Sequence, residues 1–375
     1  METILNVPQG MFEMRRLPFR KNEKLRAWDA ADEYLLQHLS EQVRLQGQSR
    51  VLILNDSFGA LAIALNALRP VVLSDSWLSQ QATKLNLDAN GLPQNAIQFK
   101  NSLDWPAEPF DAVFIKVPKT LAFLEDQLIH LQDLITENTV IIAAGMVKAM
   151  PAAVWKLMDK YLGPTKPSLA KKKARLIFVE ASIRKSFETP YPIYYQLENT
   201  DYRICNHANV FSRESLDIGT RFLLEYLPKN TDAKDIVDLG CGNGVVGLML
   251  AEFHFLSKLY FVDESYMAIA SAKETFSLAF PERAADYCIA DGLTGFKTES
   301  IDLIVCNPPF HQQNTLGSQI ALSMFKQSFR VLRKGGTLWV IGNRHLGYHL
   351  DLKRLFKVCI EIAANKKFVI WRVNK

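Results

Sequence analysis

In the second half of the chain, short apolar runs alternate with longer segments whose apolar residues recur every three to four positions. DIVDLG (235–240) is a nearly unbroken apolar run, and GVVGLMLAEFHF (244–255) after it has helical spacing. LYFVDES (259–265) is a second short run, ending in acid, and SYMAIASAKETFSLAF (265–280) a second helical segment. DYCIADGL (286–293), IDLIVCNPP (301–309) and GGTLWVIGN (335–343) add three strands, with a helix expected over ALSMFKQSFRVLRKG (321–335) between the last two. CIEIAANKKFVIWRV (359–373) reads as a closing hairpin. Strands separated by helices predict a doubly wound, mostly parallel α/β sheet, with ligands at the carboxyl ends of its strands.

The first half repeats the plan. RVLILNDSFGALAIAL (50–65) has the pattern of IVDLGCGNGVVGLML, VVLSDSW (71–77) that of LYFVDES, and FDAVFIKVPKT (110–120) that of IDLIVCNPPFH. Gly59 and Gly244 are 185 residues apart, Asp75 and Asp263 188, and Pro118 and Pro309 191. Three landmarks drifting by so little imply duplication of one α/β unit. The fold expected is two tandem Rossmann-like domains, 1–195 and 196–375, each closed by an antiparallel hairpin. KKKARLIFVEASIRK (171–185) supplies the first closing strands, and the break is placed near residue 195.

Composition narrows this only a little. The 375 residues suffice for two cores. A hydrophobic share of 48% and a charged share of 22% are those of a soluble globular protein. The net charge of +5 is compatible with an anionic partner without demanding one. Five cysteines lack paired spacing, so neither a zinc site nor a disulfide framework is indicated. His345 and His349 are four apart but lack a third ligand, and no metal is expected. The N-terminus has no apolar signal region and no run could span a bilayer, so a monomer in a reducing cytoplasm is expected.

The most informative stretch is Asp238-Leu-Gly240-Cys241-Gly242-Asn243-Gly244. Alternating glycines allow a tight strand-to-helix turn and let a ligand lie against bare backbone. This is G-x-G-x-G rather than the dinucleotide G-x-G-x-x-G, so no pyrophosphate is required. Asp263, ending the second strand, can accept both ribose hydroxyls of a nucleoside, and Asp291, after the third, can face an adenine amine. Together with a motif after the fourth strand, these point to S-adenosylmethionine, leaving S-adenosylhomocysteine as product.

That motif is Asn307-Pro308-Pro309-Phe310. The prolines stiffen the loop and remove two N–H groups, leaving bare carbonyls. The Asn307 oxygen and the Pro308 carbonyl can each take one hydrogen of a planar NH₂ group. The nitrogen then moves toward tetrahedral geometry, its lone pair localises, and it can attack a sulfonium methyl in line. Phe310 can stack on a flat substrate, worth roughly 1–3 kcal/mol for a base. The motif alone is equally a strand-ending turn; its context makes it a reacting site.

DLGCGNG, Asp263 and NPPFHQ resemble the class I methyltransferases that use S-adenosylmethionine, and among them the bacterial ribosomal RNA guanine-N2 methyltransferases. The resemblance covers essentially the whole chain, including HANVFSRESLDIGTRFLLEYL (207–227) and NRHLGYHLDLKRLF (343–356). WDAADEYLL, the NDSFG turn, IKVPKT and NPPFHQQ are closer to the family's large-subunit type. The resemblance implies two tandem methyltransferase-like domains, the first degenerate, and methylation of guanine N2 in large-subunit (23S) ribosomal RNA. A small-subunit (16S) target and a non-catalytic assembly factor that binds ribosomal RNA remain alternatives. Enzymes acting on adenine-N6 or glutamine usually carry tyrosine where this chain has Phe310.

The first half lacks this chemistry. Asn55, Asp56 and Ser57 stand at the glycine loop, Lys116 at the asparagine and Lys119 at the aromatic. Lys116 and Lys119, with Lys171, Lys172 and Lys173, suit RNA phosphates; solvated surface lysines explain them as well. His311 is a candidate substrate contact or a loop residue without a role. The resemblance makes Phe211 and Asp217 candidates for closing the cofactor pocket, though packing and helix capping would account for them equally. Trp28 reads as core.

Overall fold

The computed structural model describes residues 2–19, 23–182, 187–229, 231–309 and 315–375. The chain divides into two compact units, Met1–Tyr191 and Pro192–Lys375. The first opens with a hairpin, β1 (Ile4–Val7) and β2 (Gly10–Glu13), and then runs α1 (Ala30–Gln42), β3 (Val51–Leu54), α2 (Ala60–Ala64), β4 (Val71–Ser74) and α3 (Trp77–Ala89). It continues with β5 (Gln98–Asn101), β6 (Ala112–Lys116), α4 (Leu121–Leu131), β7 (Val140–Met146), α5 (Ala152–Tyr161), β8 (Thr165–Pro167) and β9 (Ala174–Val179). The sheet order is β5-β4-β3-β6-β7-β9-β8. Its first five strands are parallel; β9 returns antiparallel to β7, and β8 pairs antiparallel with β9.

The second unit begins with another hairpin, β10 (Ile193–Gln196) and β11 (Arg203–Asn206), followed by α6 (Ile218–Glu225), β12 (Asp235–Leu239), α7 (Val245–Phe253), β13 (Lys258–Asp263) and α8 (Tyr266–Ala279). Then come β14 (Asp286–Ile289), β15 (Ile301–Cys306), α9 (Thr315–Val331), β16 (Leu332–Asn343), α10 (Tyr348–Phe356), β17 (Cys359–Ala364) and β18 (Phe368–Asn374). The order β14-β13-β12-β15-β16-β18-β17 matches the first sheet strand for strand.

Both sheets have the architecture the apolar pattern predicts. β3 and β12 are central strands whose neighbours lie on both sides, so their residues are buried almost without a break and carry no polar alternation. Separate apolar clusters form in each unit, built around Ile53 and Leu54 in the first and around Ile236 and Val237 in the second. Side chains at strand ends cap the helices that follow. Ser76 accepts from Ser79 N at the start of α3, and Ser265 from Ala268 N at the start of α8.

Two details differ from the sequence reading. Leu332 to Gly335, read as the end of a helix, already belong to β16, because Leu332 pairs with Ile301 ahead of a register shift in the β15 ladder. The hairpins β1–β2 and β10–β11 were not anticipated; each strand has four residues, too few to show a period. No helix among the described residues is long and apolar enough to cross a membrane.

Candidate active site

In the second sheet the chain order reverses between β12 and β15, the switch point at which sheets of this kind bind ligands in a crevice beyond the strands' carboxyl ends. Leu239 pairs with Cys306, so the glycine loop and Asn307 leave the sheet side by side. A Cβ built on Gly240 would lie 3.7 Å from the Asn307 carbonyl oxygen. On the other flank Asp263 pairs with Ile289, which places Asp291 just beyond the next strand.

Each loop glycine adopts a left-handed conformation, with φ of 74° at Gly240, 53° at Gly242 and 80° at Gly244. At Gly244 a Cβ would stand 2.8 Å from both Cα and Cβ of Ala272, so this glycine permits α7 and α8 to pack. At Gly242 a Cβ would meet nothing within 4 Å. There the bare backbone faces open space, as a nucleoside lying on the loop requires. The Gly242 N–H donates to Asp263 Oδ2 at 3.0 Å, and Ser265 N to Asp263 Oδ1 at 3.0 Å, so this acid also tethers the loop. Burial pushes the Asp291 carboxyl up.

Three of the proposed loop residues work from beneath. Asp238 is 3% exposed, and its Oδ2 accepts from Gly247 N at 2.8 Å, inside the first turn of α7. Burial, aided by Asp263, pushes its pKa up to about 7. Cys241 lies in the apolar core, where burial and then the Asp263 and Asp238 carboxyls push its thiol well up. Asn243 donates to Asn206 Oδ1 at 3.0 Å and Tyr195 Oη at 3.3 Å, and its oxygen accepts from Val245 N. Their side chains brace the loop rather than line the crevice.

Just past β15, the Asn307 Nδ2 donates to Thr220 Oγ1 at 3.0 Å. Its Oδ1 is buried and has no hydrogen-bond partner among the described residues. A buried unpaired acceptor costs free energy unless something arrives to satisfy it. Pro308 is buried and Pro309 exposed. Phe310 and His311 lie outside the described residues. Phe211 is exposed, and Asp217 N-caps α6, its Oδ2 accepting from Thr220 N at 2.8 Å. Thr220 was not singled out from sequence. Its signal was available in the repeat, because Asp217 and Thr220 stand where the first half has Asp29 and Asp32.

The corresponding place in the first unit is filled by its own side chains. Asn55 keeps the left-handed turn at φ 64°, and Gly59 keeps φ 83°. Asp56 is buried and accepts from Gly59, Ala60, Leu61 and Ala62 N at 2.9–3.1 Å; burial and then the Asp32 charge push its pKa up to about 6. Lys116, expected to meet a phosphate, does not present its ammonium to solvent. Its Nζ lies 2.9 Å from Asp29 Oδ1 and 2.6 Å from Asp32 Oδ1, and the side chain is 15% exposed. Burial works against its charge, but the two carboxylates more than compensate and hold its pKa up. A lysine reaching this depth is stable only when paired, and the pair is supplied by residues more than eighty positions upstream.

The remaining lysines are exposed. Lys119 is solvated. Lys172 and Lys173 form a tight turn at φ 48° and 63°, closed by bonds between Lys171 and Ala174. Lys171 lies over the Tyr34 ring, Lys172 pairs with Glu33 at 2.9 Å, and both border an open cleft of about 620 Å³. Trp28 is core, with its Nε1 donating to Glu33. No group of three His, Cys, Asp or Glu among the described residues could hold a metal ion.

The doubly wound sheet, the reversed strand order and the glycine crevice define the second unit as a class I methyltransferase domain of the kind that uses S-adenosylmethionine. Residues 201–372 match the family described as Methyltransferase small domain, and residues 2–183 the RLMG N-terminal domain. The chain is 47% identical over 373 residues to the ribosomal RNA large subunit methyltransferase G of Ectopseudomonas mendocina, covering 99% of this chain and all of that one. It is 48% identical to the protein of the same name from Pseudomonas paraeruginosa, over 98% of each. Among solved structures it is similar to the 16S rRNA N2 methyltransferase (RsmC) of T. thermophilus in complex with AdoMet and guanosine, with a TM-score of 0.77 over 100% of this chain and 97% of that one. At 19% identity that likeness is one of fold. The chain belongs to the ribosomal RNA large subunit methyltransferase G family.

Proposed function

We propose that the second domain transfers the methyl group of S-adenosylmethionine to the exocyclic N2 of a guanine in large-subunit ribosomal RNA, and that the protein acts in the cytoplasm as a monomer. The observation that carries this reading is the Asn307 oxygen, a buried acceptor without a partner beside the glycine loop. The names of the full-length relatives supply the large subunit.

Gly240, Gly242 and Gly244 would hold the cofactor against their backbone, with Asp263 accepting from its ribose and Asp291 from its adenine amine. When bound, S-adenosylmethionine supplies an electrophilic methyl on a positively charged sulfonium. Asn307 Oδ1 accepts one hydrogen of the guanine amine and the Pro308 carbonyl the other, which localises the nitrogen lone pair. The amine turns acidic only after transfer, so these residues need supply no strong base, and their contribution is mainly orientation. Phe310 stacks on the guanine in this reading, and His311 is a further substrate contact. The first domain has given up the reaction, and the exposed Lys119, Lys171, Lys172 and Lys173 are its candidates for phosphate contact.

The test uses radiolabelled S-adenosylmethionine with deproteinised ribosomal RNA of each subunit, and with assembled particles, from a strain lacking the gene. N2-methylguanosine in large-subunit RNA is expected. Asn307→Ala should lower kcat by about a hundredfold or more with cofactor affinity nearly unchanged. Label in another nucleoside, or in no RNA or particle, would overturn the reading.

A further inference from the structure

The same three-residue contact occurs in both units, with different chemistry. In each, an aspartate caps a helix, the residue three positions on bonds to it, and the pair reaches a residue at the carboxyl end of the next strand over from the central one, β6 in the first unit and β15 in the second. In the first unit these are Asp29, Asp32 and Lys116, joined as an ion triad. In the second they are Asp217, Thr220 and Asn307, joined as a neutral relay from a single carboxylate.

The direction of that relay is forced. A carboxylate only accepts, so the Thr220 hydroxyl spends its one proton on Asp217 Oδ2, at 3.3 Å. Thr220 Oγ1 therefore meets Asn307 with lone pairs and can bond only the NH₂ end of its carboxamide. The Asn307 oxygen is thereby turned the other way, where it stands buried and unpartnered. Without the relay, a carboxamide rotated by half a turn would present two donors to an amine that also donates, and the site would repel its substrate. The surroundings keep the relay compact: a Cβ at Gly219 would come within 3.0 Å of Asp217 Oδ2 and 3.1 Å of Phe368 Cε1.

We propose that Thr220, polarised by Asp217, is a positioning residue that fixes the orientation of the Asn307 carboxamide and so makes this site accept an amine. The proposal rests on the reading of Asn307 as the amine acceptor.

The experiment compares wild type, Thr220→Val, Thr220→Ser, Asp217→Asn and Asp217→Ala in methylation of the RNA or particle that the wild type labels, with cofactor affinity measured separately by calorimetry. Valine keeps the shape and removes the oxygen. Its kcat should fall about ten- to a hundredfold, the scale of a misplaced reacting group, while KM for RNA and the cofactor Kd stay within about twofold. Serine should restore most of kcat. Asp217→Asn keeps the one oxygen that both caps α6 and takes the Thr220 proton, so it should retain most of kcat, whereas Asp217→Ala removes that acceptor and should lower kcat with KM for RNA and cofactor Kd within about twofold; this arm stands even if the valine variant fails to fold. Wild-type kcat in Thr220→Val, a serine variant no better than valine, or cofactor affinity falling in step with kcat would each overturn the proposal. A wild type that labels no guanine N2 sinks the underlying reading instead, so the two failures are distinguishable.

Discussion

Replacing Lys116 by methionine tests what the first domain's triad is worth. The substitution keeps the length of the side chain and removes the positive charge that Lys116 places on Asp32, whose side chain is 7% exposed. Asp29 is different, with a side chain 47% exposed and a helix cap to make, so it stays solvated without the lysine. The cost is therefore that of one buried carboxylate left without a counter-ion, about 3–5 kcal/mol. For a domain of this size each kcal/mol moves the midpoint by about 2–4 °C, so a drop on the order of 10 °C is expected. The deficit should depend on pH. Burial already raises the Asp32 pKa against the pull of Lys116, and losing the lysine raises it further. An acid raised in the folded state loses stability as pH rises through its folded pKa, so the deficit should be small at pH 5 and full at pH 8. Calorimetry at both pH values, with hydrogen exchange over residues 30–42 to assign the transition, measures it. In Lys116→Met/Asp32→Leu the orphaned charge is gone and most of the loss should return. A single variant that melts with the wild type, or shows the same deficit at both pH values, would falsify the argument.

The glycine loop separates packing from ligand approach. Gly244→Ala combines left-handed strain of about 1–2 kcal/mol with a 2.8 Å collision against Ala272, so the second domain's midpoint should fall by several degrees. Gly242→Ala carries the strain without the collision; its midpoint should fall less than that of Gly244→Ala while S-adenosylmethionine affinity, by calorimetry, falls at least about tenfold, since the methyl would occupy the space the cofactor needs. Equal affinity loss in both, or none at Gly242, counts against this placement of the cofactor. For Asp238 the folded pKa, raised to about 7 by burial, means that stability present below pH 4 is lost as pH rises through 7. Asp238→Asn keeps an acceptor for Gly247 N, so in cofactor-free protein its stability should exceed the wild type's at pH 8 by more than at pH 5, a difference of about 3 kcal/mol from the two pH units between 5 and the folded pKa. Parallel pH curves would count against a buried, raised carboxyl.

The alternation of strands and helices, the glycine turn and the strand-end positions of Asp263 and Asn307 were legible because each is local: a buried parallel strand is a continuous apolar run, and its end is marked by the first residues that break the run. Lys116 was misread for the opposite reason. A lysine at a strand end looks solvated until its partners arrive, and Asp29 lies 87 residues before it. Thr220 escaped notice across the same separation of 87 residues from Asn307. Its sequence neighbourhood looks like the first turn of a capped helix, which it also is. Asp238, at the end of β12, and Asn243, on the loop after it, take directions, inward under α7 and toward β11, that depend on packing no motif records.

The ion triad also bears on reversibility. If the two halves descend from one unit, as the repeat implies, returning the first to the second's chemistry requires both Asp32 and Lys116 to change. Changing Lys116 alone strands a buried acid, and changing Asp32 alone strips a buried ammonium of its closer partner. Either single step passes through a less stable protein, so selection against unstable intermediates is enough to hold the first half where it is. The triad works as a latch: each partner makes the other costly to lose, so it opens only if both change together or if the protein tolerates one of those less stable forms, the same forms through which it could have closed.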